Sequence, residues 1–567
     1  MKDDLRVKAS KTIVERLTWC TATRDQAGIA KELADGDDIS EIYGLGEATV
    51  FDEFFYFLDQ MKISNLFPQL DPDRTKRSSN VNFHSTLLIY VMRLVAGISF
   101  FWQIEPVLLC SLSLMRLVGF NGRQIREGTT ARGLRKPAAD TSDEEQKNGQ
   151  VVEPSPPDQI RGPYCPESIA ASISSITASA LECFFNAVIK ILAANRFFPK
   201  RVHALLDATE IESTEQCNGC GKVKKERKPD LRARKGRLRK IWETVFGFKA
   251  WVVWDPNSKL PLALRFTTIE VPDITMARAV VEQAIANLGD HAKIASLACD
   301  KAFLDGAFLW WLNLQGIIFY IPAKTDMHVY QDALSLVDAG EGVTNIQEQA
   351  RTVGHGKNRS TVTDRWEVVG LAELTSAGFY GELGSGSHEN RKDFVPNPIN
   401  AVVVIDDPYK KNNPDAKTMV ILTNDTVTEP IKVYNGYDAR SEIENSLFRE
   451  AKQAWFIERP AQKTMESFRA HVYLTLIVMA LVTAYRAWME KQDKLQSQAT
   501  PTGIRKFREM IRQENANLVI IFHEDRYALF KAYELAILLG RRVLKPRGVP
   551  ENITKEDILR KHGVLRE

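Results

Sequence analysis

Cysteine is scarce and badly placed for cross-linking. Seven are scattered over 567 residues, at positions 20, 110, 165, 183, 217, 220 and 299. An odd, dispersed set argues against a disulfide framework and fits a reducing compartment. The opening stretch, MKDDLRVKASKTIVERL, lacks the apolar centre of a secretory signal. Long unbroken apolar runs are missing as well. STLLIYVMRLVAGISFFW is interrupted by Arg93, and VYLTLIVMALVTAY has only 14 residues. Both fall short of a bilayer span and predict buried core helices. Net charge is only +3, so the chain as a whole is no trap for polyanions. These absences predict a soluble, cytoplasmic protein with no membrane partner.

What is present is enough for several cores. The apolar fraction is 44% and the aromatic fraction 9%, the composition of a folded chain. The length predicts roughly three or four structural units. Charge, balanced overall, is concentrated between Lys222 and Lys240. There KVKKERKPDLRARKGRLRK sets eleven Lys or Arg against Glu226 and Asp230, a local +9. Such a density stays solvated or meets a polyanion, and DNA backbone is the expected partner. Lys224, Lys225, Arg227, Lys228, Arg232, Arg234, Lys235, Arg237, Arg239 and Lys240 are then phosphate contacts that read no bases. The C-x-x-C at Cys217 and Cys220 precedes this run. Structural zinc would require two further ligands, and no second C-x-x-C or close His pair follows, so it reads as a turn with two thiols.

Texture changes along the chain. Residues 1–132 are helical in pattern, with LLIYVMRLV and PVLLCSLSLMRLVGF as the clearest apolar faces. Residues 133–164 are rich in Pro, Asp, Glu and Gln and read as a linker. Residues 165–198 read as a helix starting at Pro166. From 199 to 324 the pattern is three strands, helix, strand, helix, strand: RVHALLDATEIE, FGFKAWVVWDPNSKLPLALRFTTIE, TMARAVVEQAIANLG, IASLACDKAF, DGAFLWWLNLQG and IIFYIPAK. That order is the one an RNase-H-like α/β core requires. Residues 325–432 return to strand-like runs and predict a β-rich insertion. Residues 433–490 are helical and complete the core, and 491–567 read as a helical C-terminal region.

Three acids stand out. Asp207 closes an apolar run in the first strand and Asp300 does so in the fourth. An ionised carboxylate at a buried strand end costs several kcal/mol unless it is compensated. In the inferred strand order the two strands are neighbours, so the carboxylates share one sheet edge and repel unless cations lie between them. Glu444 is the third acid, in YNGYDARSEIENSLFREAKQAW. Read as one helix at about 100° per residue, this stretch places Tyr437, Arg440, Glu444 and Lys452 within roughly a third of the circumference. Three acids converging from distant positions suit a divalent metal pair about 3.5–4 Å apart. All-oxygen ligation favours Mg²⁺, with Mn²⁺ as substitute, over zinc. The chemistry expected is phosphodiester cleavage. His203 reads as a packed, hydrogen-bonded histidine, and the Trp310–Trp311 pair as core.

LLDATEIE, ACDKAFLDGAFLWWLNLQGIIFYIPAK and YDARSEIENSLFREAKQAW, in this order, resemble bacterial insertion-sequence transposases of the DDE class. They resemble most the branch whose third acid lies in a Tyr-x-x-Arg-x-x-x-Glu…Lys signature after a β-rich insertion. The likeness runs from about Val202 to Arg486. It implies a retroviral-integrase-type RNase-H-like core and an N-terminal region that binds DNA ends. It also implies that Asp207, Asp300 and Glu444 ligate metal, and that Tyr437, Arg440 and Lys452 hold phosphates near the scissile bond. Two departures stand out. Lys301 and Ala302 replace the usual Arg-Gly after the second acid, and Lys452 lies one residue further from Glu444 than the common spacing. That extra residue turns Lys452 by about 100° on a regular helix, so Glu442 or Arg449 competes for its role.

The activity implied is transposition. A homodimer in a synaptic complex binds the inverted repeats of its own element, cleaves the ends and joins the 3′ ends to target DNA, with a hairpin route implied for relatives. The enzyme would be bacterial, and nucleoid-associated when bound. Two alternatives share the ancestry: a repressor or domesticated copy that binds without cutting, and a metal nuclease without strand transfer.

Overall fold

The computed structural model describes residues 23–37, 41–44, 48–72, 81–109, 112–120, 129–130, 133–134, 166–227, 241–353, 359–375, 398–405, 418–492, 518–523, 526–541, 550 and 552–565. They fall into two units, one spanning Phe185–Gln453 and one joining Met1–Phe184 to Ala454–Glu567. Most of the expected linker at 133–164, and the basic run from Lys228 to Lys240, lie outside the described residues.

The first unit is built on a ten-stranded mixed sheet. Its strands are β1 (Arg201–Ser213), β2 (Gly221–Arg227), β3 (Ile241–Asp255) and β4 (Leu260–Thr268), then helix α1 (Asp273–Leu288). They continue with β5 (Lys293–Cys299), helix α2 (Gly306–Leu314), β6 (Ile318–Pro322) and helix α3 (His328–Asp338). The last four strands are β7 (Val343–Val353), β8 (Ser360–Leu374), β9 (Ile399–Ile405) and β10 (Thr418–Thr423). The order across the sheet is β7-β8-β9-β10-β6-β5-β1-β3-β2, with β4 also paired to β3. β5 runs parallel to both β1 and β6, whereas β3 is antiparallel to β1, β2 and β4. Strands buried on both faces need continuous apolar sequence. β1 supplies Val202, Ala204, Leu205 and Leu206, and β5 supplies Ile294 to Cys299, all buried.

The strands after residue 325 extend this same sheet. β10 pairs antiparallel with β6, and β9, β8 and β7 follow outward. The reason is local: IIFYIP and TMVILT are both apolar on either face, and neither is buried without a strand on each side.

The second unit is mainly helical, with differences from expectation at both ends of the chain. The helix expected over 165–198 is two, Pro166–Ser174 and Ala178–Ala194. Thr177 breaks it, because its hydroxyl accepts from the Ala180 N–H and caps the second helix at 3.2 Å. The expected helical C-terminal region instead contains strands Leu518–His523 and Arg526–Lys531. These pair with each other, and with Glu41–Gly44 and Thr23–Arg24 from the N-terminal part, to give a four-stranded sheet. RYALFK carries spacing compatible with either period, and partners some 500 residues away decide it. The first apolar stretch flagged in the sequence is a buried helix only as far as Ala96, within Phe83–Ala96, and its end leaves that helix with Phe100 and Trp102 exposed; the second is buried within helix Met465–Gln492. The second has a window apolar enough to cross a membrane, but 89% of that window is buried inside the protein. At its start His471 is fully buried, bonded to Tyr90 Oη at 2.6 Å and to the Phe456 carbonyl at 2.9 Å. Burial holds its pKa down at about 3.

Candidate active site

β1 and β5 are in parallel register up to Leu206 opposite Cys299. Asp207 and Asp300 are the next residue on each strand. They therefore stand side by side where the β5 ladder ends, although β1 itself continues to Ser213 against β3. Asp300 turns away from the ladder and caps a short 3₁₀ turn, accepting the Lys301 N–H at 2.6 Å. Asp207 is 8% exposed and accepts the N–H of Ala208 at 2.8 Å.

One guanidinium spans the two acids. Arg440 Nη2 donates to Asp207 Oδ2 at 3.1 Å and lies 3.6 Å from Asp300 Oδ2. The two carboxylate oxygens are thus separated by no more than the sum of those distances. Burial pushes the Asp207 carboxyl up to about 6. Arg440 and the Ala208 N–H pull it down, while Glu444 and Asp300 push it further up. Desolvation outweighs the ion pair. Arg440 responds in the opposite sense: burial disfavours its charge, but Asp207 and Asp300 more than offset that. Its Nε is buried with no hydrogen-bond partner. Tyr437 is close by, its phenol pushed up to about 12 by burial, with Arg440 opposing and Asp300 adding.

The stretch carrying these residues is not one regular helix. Helix α4 (Pro430–Asp438) holds Tyr437 and ends in a turn at Ala439 and Arg440. Helix then resumes with a π segment at Ile443–Phe448, followed by helix α5 (Arg449–Gln453). The Arg449 N–H bonds the Glu444 carbonyl, the five-residue step of a π turn. The angular argument from one α-period therefore fails, although Arg440 still reaches both aspartates and Glu444 is near enough to perturb Asp207. Glu444 itself is exposed. Among the described residues no group of three His, Cys, Asp or Glu is close enough to hold an ion; Arg440 is what lies between the carboxylates.

Lys452 lies elsewhere. Its Nζ donates to the Glu210 carbonyl at 2.8 Å, three residues past Asp207 on β1 and so about 10 Å along the strand. The Glu210 carboxylate pairs with Lys225 on β2. Burial, then the ammoniums of Lys249 and Lys452, lower the Lys225 pKa. Lys249 is a residue that sequence reasoning passes over. It is 9% exposed, and its Nζ bonds Asp273 Oδ1 at 2.8 Å. Its signal was the single charge within FGFKAWVVW. Lys224 is exposed on β2, Arg227 ends that strand, and the other basic-run residues from Lys228 to Lys240 lie outside the described residues. His203 bonds Ser296 Oγ at 2.8 Å as expected, but it is exposed rather than packed. Trp311 is buried and stacks on Phe308. Cys217 and Cys220 sit in the turn between β1 and β2 as free thiols.

Residues 198–481 match the family of the transposase DDE domain. The chain belongs to the DDE transposase family. A structure of the piggyBac transposase synaptic complex with hairpin DNA is similar at a TM-score of 0.38 and 9% identity, over 88% of this chain and 83% of that one. No curated protein matches the chain in sequence.

Close packing holds the signature helix in place. A Cβ on Gly436 would lie 2.7 Å from Cε2 of Tyr320 on β6, and the Tyr320 hydroxyl is tied to Asp425 at 3.0 Å. The ring cannot swing aside without losing that bond. Gly436→Ala is therefore expected to push α4, with Tyr437 and Arg440, off the sheet, at a cost of about 1–3 kcal/mol. Urea unfolding measures the loss. Unchanged stability and unchanged cleavage would show that the helix has room to shift.

Proposed function

We propose that this DDE transposase cleaves the DNA ends of its own element and joins the freed 3′ ends to target DNA, with Asp207, Asp300 and Glu444 as its acidic triad. On this reading β4-β3-β1-β5-β6 is an RNase-H-like core, and α3 with β7 to β10 is the insertion that precedes the signature helix. The order three-two-one-four-five, with the first strand antiparallel to the second and parallel to the fourth, supports it. The observation that carries the function is Arg440 spanning Asp207 and Asp300, with Glu444 raising the Asp207 pKa.

The donor set fits a hard divalent cation. Asp207 and Asp300 offer oxygen only, they repel each other, and a cationic group already bridges them. Asp207 and Asp300, with Glu444 brought nearer than it stands here, would hold Mg²⁺ or Mn²⁺. When bound, the metal supplies acidification of a water or 3′-hydroxyl and charge neutralisation at the phosphate. The chain's own residues do the rest. Arg440 has an unpartnered buried Nε and a fork suited to phosphate oxygens. Tyr437 stays protonated at neutral pH and keeps its O–H to donate. Lys452 on α5 and Lys225 on β2 both bind Glu210, further along β1 than Asp207, where a backbone phosphate away from the scissile one would be met. Lys224 is exposed on β2, and DNA binding through these cations should weaken steeply with salt.

The test is an end-cleavage assay with end DNA, a target plasmid and Mg²⁺. Asp300→Ala is expected to abolish cutting and leave end binding nearly intact. Retained cutting by that variant refutes the triad. Cleavage by the wild type without joined products makes the protein a nuclease instead.

A further inference from the structure

In the unit formed by the N- and C-terminal parts, two large aromatics stand in solvent side by side. Phe100 is 46% exposed and Trp102 67%. Their rings are stacked, with centroids 6.3 Å apart and planes 19° from parallel. The Arg459 guanidinium lies 4.8 Å from the Phe100 centroid and 5.2 Å from that of Phe456. The result is a chain of neighbouring planar groups: Trp102 against Phe100, Phe100 against Arg459, and Arg459 against Phe456. Its outer member, Trp102, faces water.

These groups are braced from below. Arg93 is fully buried, and its Nη2 donates to the carbonyls of Ser99 at 3.1 Å and Arg459 at 3.2 Å. One buried cation thus ties together the two segments that carry the stack. Among the described residues neither its Nε nor its Nη1 has a hydrogen-bond partner and no carboxylate pairs with it; the faces of Phe101 at 4.2 Å and Tyr90 at 5.4 Å lie against its charge. The Gln103 side chain caps the Phe100 N–H, fixing the turn that presents both exposed rings. Phe456 holds φ at 56°, a left-handed conformation that a bulky residue adopts only under constraint. Burying a guanidinium without a carboxylate is costly, and the fold gains nothing from leaving Trp102 in water.

We infer that Trp102 and Phe100 form a stacking platform for an unpaired base of DNA, with Arg459 adding positive charge beside it. Every base has a π face, so such a platform tolerates any sequence, and the adjacent guanidinium favours a polyanion over an apolar protein surface. The inference rests on the DNA-processing reading, because strand breakage at DNA ends is what exposes unpaired bases. It does not depend on the acids.

The test uses the full chain, with EDTA present so that no cleavage occurs. A duplex oligonucleotide ending in a single-stranded overhang with 2-aminopurine is compared with the same duplex blunt-ended. The overhang is expected to bind about tenfold tighter, with its fluorescence quenched. Trp102→Ala should remove that preference and the quenching, leaving blunt-duplex affinity and its salt dependence unchanged. Trp102→Phe should retain most of the preference. Equal binding of the two duplexes by the wild type overturns the proposal, as does an equal loss for both in Trp102→Ala. So does an oligomeric state that changes in Trp102→Ala while the overhang preference stays, which gives the patch to a second copy of the chain. Because metal is absent, none of these outcomes bears on Asp207, Asp300 or Glu444.

Discussion

Asp207→Asn is expected to abolish DNA cleavage and, in the same protein, to raise thermal stability at pH 8. The two effects share a cause. Asp207 is buried, and burial lifts its pKa from 3.8 to about 6. A carboxyl whose pKa rises on folding favours the folded state while it is protonated. That contribution is present below the unfolded pKa and is lost as pH climbs through the folded one. At pH 8 the ionised group therefore opposes folding, by up to roughly 3 kcal/mol at about 1.36 kcal/mol per unit. Asparagine keeps the oxygen that accepts the Ala208 N–H and removes the charge. Arg440 loses one partner but keeps Asp300, which trims the gain. A rise of several degrees at pH 8 that vanishes near pH 4 is the expected signature. Cleavage should fall by at least about 10³-fold, as when a group acting in a unit is removed, with DNA affinity nearly unchanged. Scanning calorimetry at both pH values and an end-cleavage assay decide it. Retained cutting would remove Asp207 from the triad; lower stability at pH 8 would mean that its ion pair with Arg440 outweighs burial.

The aspartates were legible in the sequence because a carboxylate closing an apolar run contradicts its surroundings. Two such contradictions in strands of a recognisable order point to one place. Arg440 was legible in the same way, as a charge at a fixed step before Glu444. The π turn at Ile443–Phe448 was not. Apolar spacing reports which side chains are buried, and Ile443, Leu447 and Ala451 satisfy an α-period. It carries no information on which carbonyl each N–H selects. The site of Lys452 was hidden for the same reason: its partner is a backbone carbonyl on β1, and a carbonyl leaves no trace in side-chain pattern. Nor could local pattern show that Thr23 and Arg24 pair with Arg526 and Tyr527. Strand pairing across most of the chain is set by tertiary packing, which propensity does not record.

Arg440→Ala is expected to separate two functions that one side chain now combines. In the structure its guanidinium occupies the space between Asp207 and Asp300, the position from which a divalent cation would neutralise them. The residue therefore competes with the ion it would work beside. Without it, Mn²⁺ affinity at pH 8 should rise, by about tenfold if the competing ion pair is worth about 1.4 kcal/mol. The same deletion removes the main group holding the Asp207 pKa down. Protonation then begins at higher pH, so the pH at which Mn²⁺ binding is half lost should move above that of the wild type. Tighter binding at high pH and earlier loss on acidification are opposite changes from one substitution, and electron paramagnetic resonance of Mn²⁺ across pH reads both. Cleavage should nonetheless fall by about 10²–10³-fold, because a fork aimed at phosphate oxygens is lost. Arg440→Lys should recover little, since a single ammonium cannot span both carboxylates and the phosphate as a fork does. Mn²⁺ affinity that falls at every pH would assign Arg440 to holding the aspartates in place. Normal cleavage by the variant would remove it from the chemistry altogether.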